Sequence, residues 1–324
     1  MDREWKPFKS TIALPGQSSK PLLLIVLLAD TPLPPVKAAH GNYHDIFTSL
    51  FERSVQLHSS QVKPTSESTG TEAELTVESY DAVQGQYPTQ ERVKEANGVL
   101  ITGSASSAYE SIEWITNLFS YTASLPEINP QIRLIGICFG HQIIARAFGS
   151  TVERNPKGWE VGVRVMSLTE AGSRIFGGQQ LVSVVAIDSW PGSRRQSRPH
   201  QSYHVVADMI DFVLGPQAVH QMHRDHVPSL PSGFEVLGST PICPIHGMVK
   251  YSSTASSSAN LSDIEVLTLQ GHPEFSPDIV LKVIEVRAER GVFDPEMAEK
   301  SRAQARESDE GVRIGEIVLR IIGL

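Results

Sequence analysis

The stretch Leu134-Ile135-Gly136-Ile137-Cys138-Phe139-Gly140-His141-Gln142 decides how this chain folds. Its opening run of Leu and Ile reads as a buried strand. A cysteine bracketed by Gly136 and Gly140 follows. A helical pattern then runs through Gln142-Ile143-Ile144-Ala145-Arg146-Ala147-Phe148 to Gly149, a glycine placed to end a helix. Strand, sharp turn and helix, with a thiol at the apex, push a nucleophile clear of its own backbone. The glycines let a substrate and a neighbouring strand pass closely, and a helix N-terminus favours thiolate over thiol.

Working outward, Pro21 to Ala29 is a continuous apolar run, as expected of a strand buried on both faces of a parallel sheet. A Pro-rich loop over Thr31–Pro35 precedes a helical stripe, Tyr43 to Leu57, with Ile46, Phe47, Leu50, Phe51 and Val55 on one side. Gln61 to Glu74 is a Ser/Thr-rich surface loop, and Leu75 to Ala82 a second strand. Gly98 to Ile101 leads into the small-residue segment Thr102 to Tyr109. That segment suits a backbone approaching a ligand, although an ordinary turn has the same composition. Ile112 to Leu125 is the next helix. This order predicts an α/β fold with a mostly parallel central sheet flanked by helices. Ligands of such folds bind at the carboxyl ends of the strands, where both Cys138 and the loop after Ile101 fall.

Past Gly149 the pattern is strand-like, at Thr151–Glu153, Trp159–Val165, Phe234–Leu237, Met248–Tyr251 and Ile264–Leu269, and helices are expected near Pro277–Arg290 and Gly311–Ile322. Residues 1–20 read as a loose N-terminal arm and 21–324 as a single domain, with insertions at 179–217 and 252–262. The first insertion carries the basic cluster Arg194, Arg195 and Arg198, read as a solvated loop. His220, His223 and His226 lie close together, but on an alternating strand the first two point to opposite faces. No ligand set is completed by sequence, so no metal and no organic cofactor are expected.

A net charge of −8 disfavours a nucleic-acid partner. The most apolar run, Leu22 to Ala29, is far shorter than the roughly 20 residues that span a bilayer, so no membrane segment is expected. Two cysteines, Cys138 and Cys243, make no disulfide framework and suggest a reducing, cytoplasmic setting.

A reactive cysteine needs a base and an orienting group. His272-Pro273-Glu274 supplies both, two residues apart on one face of extended backbone. By itself this tripeptide also suits a turn with an exposed carboxylate. Together, Ile135-Gly136-Ile137-Cys138-Phe139-Gly140-His141-Gln142 and Gly271-His272-Pro273-Glu274-Phe275 resemble the two signature motifs of class I glutamine amidotransferases. Leu100-Ile101-Thr102-Gly103-Ser104 with Ser107-Ala108-Tyr109 resembles that family's oxyanion loop. Gly158–Gly162 and Gln221–Asp225 resemble segments of the branch similar to the GMP synthase glutaminase domain.

The resemblance implies a flavodoxin-like fold and a Cys138–His272–Glu274 triad. It implies an oxyanion hole from the backbone of Phe139 and of the loop at Gly103 and Ser104, with Gln142 framing a glutamyl pocket. His223 and Asp225 would stand at its entrance. No phosphate-cradling loop of a synthetase occurs, so a stand-alone unit is expected. The implied substrate is a small γ-glutamyl peptide or glutathione conjugate. The alternatives are a glutaminase feeding ammonia to a separate synthetase, and a non-catalytic regulatory protein of the same fold.

Overall fold

The computed structural model describes residues 6–14, 20–61, 73–177, 217–252 and 260–324. The first half of the chain builds β1 (Phe8–Leu14), β2 (Leu22–Leu28), α1 (Pro34–His40), α2 (Tyr43–Gln61), β3 (Ala73–Asp81), α3 (Gln90–Glu95), β4 (Gly98–Ile101), α4 (Glu113–Ile128), β5 (Arg133–Ile137) and α5 (Phe139–Ala147). There follow β6 (Glu153–Arg154), β7 (Glu160–Leu168), α6 (Glu170–Phe176), β8 (Gln217–His223), β9 (Asp225–His226), β10 (Glu235–Ser239), β11 (Gly247–Tyr251) and β12 (Ile264–Leu269). The helices α7 (Pro277–Glu289), α8 (Pro295–Gln304) and α9 (Gly311–Ile322) close the described part.

Ten strands form one sheet in the order β1-β3-β2-β4-β5-β12-β11-β10-β7-β8. The strands from β3 to β12 in that order are mutually parallel, and antiparallel strands continue the sheet on both sides. The expected α/β architecture is present, with a mixed sheet around a parallel centre. The parallel centre follows from strands apolar at every position. All seven residues of β2 are buried. Leu22, Leu24, Val26 and Leu28 enter the core shared with α2 and α9, while Leu23, Ile25 and Leu27 enter the core shared with α4 and α5. A strand with only one apolar face could not occupy this place.

The expected loose arm contains a strand instead. β1 pairs antiparallel with β3, from Phe8 opposite Ser79 to Leu14 opposite Ala73, and buries Ile12 and Leu14. Two alternating apolar residues carry little sequence signal, and the unpaired edge of β3 supplies the rest. The Pro-rich segment after β2 also differs: Pro34 and Pro35 begin α1, where a missing N–H costs nothing. Helix α8 was not foreseen between the two closing helices. Residues 178–216 and 253–259 lie outside the described residues, so the insertions expected there, with the Arg194, Arg195 and Arg198 cluster, are not further described. Among the described residues, no helix is long and apolar enough to cross a membrane.

The parallel strands end level with one another. Leu27 of β2 pairs with Ile101 of β4, Ile101 with Gly136 of β5, and Ile137 with Leu269 of β12. The residues that follow, Asp30, Gly103, Cys138 and Gln270, are thereby brought to one edge. A bridge between His220 and His272 returns β8 to that edge from the far end of the strand order.

Candidate active site

Cys138 sits between β5 and α5 with φ of 53°, the one non-glycine residue with positive φ among those described. A left-handed backbone at a side-chain-bearing residue costs of order 1–3 kcal/mol and persists only where its surroundings enforce it. Here the Cys138 N–H donates to Leu269 O at 2.8 Å, and the first turn of α5 presses onto β4. A Cβ on Gly140 would stand 2.2 Å from Ile101 O, and one on Gly136 would stand 2.7 Å from the Gly140 backbone. Both glycines are therefore required by the close crossing of the elbow over the sheet. The first N–H groups of α5, that of Phe139 included, have no acceptor within the helix and face the strand ends. The Phe139 ring points into the core and stacks on Trp114, with centroids 5.5 Å apart.

His272 and Glu274 follow β12. The His272 Nδ1 pairs with Glu274 Oε1 at 2.8 Å, and both side chains are buried. Phe275 stacks on the imidazole at 4.1 Å with nearly parallel planes. The His272 N–H donates to His220 O at 2.8 Å, so the ring is fixed from backbone, face and Nδ1 at once. Burial opposes a charge on this ring, but the Glu274 carboxylate and the Cys138 sulfur outweigh it and lift its pKa to about 10. With Nδ1 held by Glu274, Nε2 is left for the sulfur.

Gly103 lies against both groups. A Cβ there would come within 2.8 Å of His272 Cε1 and 3.6 Å of Cys138 Cβ. The loop it belongs to is tied at several points. Ala29 N–H donates to Thr102 Oγ1 at 2.9 Å, Ala105 N–H donates to Asp30 Oδ2 at 2.6 Å, and Arg146 donates to Ala108 O. Ser107 Oγ donates to Asp225 Oδ2 at 2.6 Å. Gln142 Nε2 donates to Gln270 Oε1 and to Asp225 O at 3.0 and 3.1 Å, and Gln270 Nε2 points at Cys138 Sγ at 3.5 Å.

The structure thus brings Cys138, His272, Glu274, Gly103, Ser104, Gln142 and Asp225 together, with Phe139 contributing backbone. His223 borders the same cleft, but its ring turns away toward Glu160, 3.1 Å distant. The cleft over Cys138 measures 180 Å³ and is walled by Ser104, Gln142, Asp225 and Arg287. It adjoins a mostly apolar cavity of 340 Å³ bounded by Leu33, Val36, Ile279, Val283, Val286 and His272. Arg287, Ser104 and Trp159 line both spaces. Arg287 lies over the Trp159 ring at 4.7 Å. Burial works against its charge, whereas the sulfur of Cys138 and the carboxylate of Asp30 favour it.

Sequence reasoning missed Gln270, Asp30 and Arg287. Asp30 was accessible to the strand-end rule, because it follows the first buried strand. Burial raises its carboxyl above the usual range, against the Ala105 and Thr31 N–H groups that stabilise the charge. Arg287 lies mid-helix and carries no local signal.

The sequence profile described as Glutamine amidotransferase class-I matches residues 55–279. A glutamine amidotransferase-like protein of Schizosaccharomyces pombe is 30% identical, over 86% of this chain and 89% of its own length. Gamma-glutamyl peptidase 4 of Arabidopsis thaliana is 25% identical, over 90% of each chain. The crystal structure of a glutamine amido transferase from Methylobacillus flagellatus superposes with a TM-score of 0.55 at 15% identity, covering 94% of each chain. That last likeness concerns the fold alone.

Proposed function

The chain belongs to the class I glutamine amidotransferase family, and from that premise we propose that it is a cysteine hydrolase of γ-glutamyl amide bonds. The observation that carries this reading is Cys138 at a strained elbow beside a His272 whose Nδ1 is held by Glu274. Cys138 Sγ attacks the γ-carbonyl carbon, and the oxyanion gathers charge near the backbone of Phe139 and Gly103. One such donor is typically worth about 3 kcal/mol of barrier. The C–N bond then breaks, and the departing amine takes its proton from His272. Water attacks the resulting thioester with His272 as base, releasing the γ-glutamyl carboxylate and restoring the thiol.

A peptide or conjugate is favoured over free glutamine because the polar cleft adjoins an apolar cavity that shares Ser104, Trp159 and Arg287 with it. Ammonia has no use for such a cavity, whereas an amine carrying an apolar body fills it. The similarity to a protein named gamma-glutamyl peptidase supports the same choice. Arg287 is suited to the α-carboxylate of the glutamyl group, and Arg287→Lys, which loses the planar two-pronged contact, should raise KM about tenfold with little change in kcat. The two free cysteines suit a reducing compartment.

The test is release of amine from glutamine, glutathione and a glutathione S-conjugate by the purified protein. The conjugate should be cut fastest. Ammonia release from glutamine alone would sink the peptidase reading in favour of a glutaminase that serves a separate synthetase. No turnover of any of the three would favour a non-catalytic role.

A further inference from the structure

A second cluster of a cysteine, histidines and a glutamate lies behind the cleft, and the proposed hydrolysis does not use it. Glu160 on β7, His223 at the end of β8, and Cys243 with His246 in the turn between β10 and β11 converge in the interior. All four are between 0 and 3% exposed. The donor atoms of Glu160, His223 and Cys243 lie within 4.8 Å of one another. Glu160 Oε2 is 3.1 Å from His223 Nε2 and 4.0 Å from His246 Nε2. Neither nitrogen of His246 has a hydrogen-bond partner among the described residues. A buried imidazole left so is costly.

The geometry points to a buried transition-metal site, with Zn²⁺ as its fitting occupant, formed by Glu160, His223, Cys243 and His246. Three considerations favour a cation over a plain polar cluster. The donors are two imidazoles, one thiol and one carboxylate, the mixed N/S/O set that zinc takes with four ligands. With the thiol and carboxylate ionised and both rings neutral, the ligands cancel a divalent charge in a site only 0–3% exposed. The orienting contacts are already in place. His223 Nδ1 faces Asp225 O at 3.1 Å, which leaves Nε2 as the nitrogen on the Glu160 side. Thr240 Oγ1 donates to Glu160 Oε1 at 2.6 Å and accepts from Cys243 N–H at 3.0 Å. Such outer contacts typically fix ligands in metal sites.

Tetrahedral geometry with bonds of roughly 2.0–2.3 Å sets donors about 3.3–3.8 Å apart, so binding requires Glu160, His223 and Cys243 to draw in by about 1 Å, and His246, which is 4.0 Å from Glu160 but outside that group of three, to move farther. The Cys243 thiol, which now donates to Ile245 O at 3.4 Å, would give its proton to the solvent and its sulfur lone pair to the metal. Of the other histidines nearby, His220 faces Asp309 and His226 faces Glu153, each at 3.5 Å, and His141 is held at Nδ1 by Thr268 Oγ1 at 2.8 Å. A closed four-ligand set is of the structural kind. It would staple β7, β8 and the β10–β11 turn beneath the Asp225 wall of the cleft, and it takes no part in the thioester chemistry.

The experiment uses full-length Cys138→Ala protein, in which Cys243 is the one remaining cysteine. The protein is loaded with Zn²⁺ or Co²⁺, desalted, and its metal content measured. About one metal per chain is expected. The Co²⁺ form should show a thiolate-to-metal charge-transfer band, and the melting temperature should rise with added Zn²⁺. Adding Cys243→Ser should abolish the band, and adding His246→Asn instead should weaken binding at least tenfold. If folded Cys138→Ala protein retains no metal and shows no band, the site does not exist. This reading stands even if the Cys243→Ser variant fails to fold.

Discussion

The chain assembles the same three residue types twice, with opposite settings. Cys138, His272 and Glu274 stand at the carboxyl edge of the parallel strands, under a cleft. Cys243, His223 and Glu160 stand among antiparallel strands, almost wholly buried, with His223 alone reaching the wall of the cleft. In the first group the carboxylate takes Nδ1 of the histidine, and the other nitrogen is left for a sulfur on a strained elbow. In the second the carboxylate faces Nε2, a backbone carbonyl faces Nδ1, and the sulfur sits on an unstrained turn with its hydrogen on Ile245 O. Residue type alone therefore does not separate the proposed nucleophile from the proposed buried ligand. Access, backbone strain and the histidine nitrogen that the carboxylate holds do.

The strongest way to break this contrast is to exchange the two sulfurs' fates. Cys138→Ala should lower γ-glutamyl hydrolysis by about 10⁴-fold or more, as loss of a nucleophile typically does. Cys243→Ala should leave kcat within a few-fold while lowering the melting temperature. A Cys243→Ala protein that folds normally yet is inactive would erase the distinction.

Next in size is Glu274→Gln. It keeps the shape but not the charge that orients His272, and kcat should fall about 10²–10⁴-fold. The measurement is kcat and KM on the best substrate, with KM nearly unchanged. Gly103→Ala places a methyl 2.8 Å from His272 Cε1. Since a shift of about 1 Å can cost a hundredfold, kcat should drop by about that factor with little loss of stability.

The smallest effect is a pH dependence of stability. The folded-state pKa of His272 is raised, against burial, by Glu274 and Cys138. A raised value means that the folded ring keeps its proton while the unfolded one releases it. The stabilisation is complete below the unfolded value of about 6.5. It should decline from there and vanish above about pH 10. Melting temperatures of wild type and His272→Gln, compared from pH 6 to 10, should converge as pH rises; a gap that widens would contradict the assignment.

Much of the open site was legible because its signals are local. A glycine-flanked cysteine between an apolar run and a helical pattern determines the elbow by itself, since strand, turn and helix are each decided within a few residues. The motif His272-Pro273-Glu274 likewise carries its own geometry. The sealed site was invisible for the same reason reversed. Glu160, His223 and Cys243 are separated by 63 and 20 residues, and His220, His223 and His226, which lie three apart in sequence, face three different carboxylates. β1 was missed because two alternating apolar residues do not declare a strand until β3 offers an edge. Arg287 was missed because a helix reveals its inward residues by apolar periodicity, and a cation carries none.

The amino-acid sequence by itself determined the buried parallel strands, the cysteine elbow, the histidine–glutamate motif and the family. Each is written in contiguous residues whose periodicity or spacing is its own cause. Only the tertiary structure decided that the strand ends lie level and that Gly103 touches both Cys138 and His272. It also decided that an apolar cavity adjoins the cleft, and that a second cysteine meets two histidines and a glutamate in the interior. Those features depend on pairings between distant segments, which the register of the sheet and the packing of its two faces alone can set.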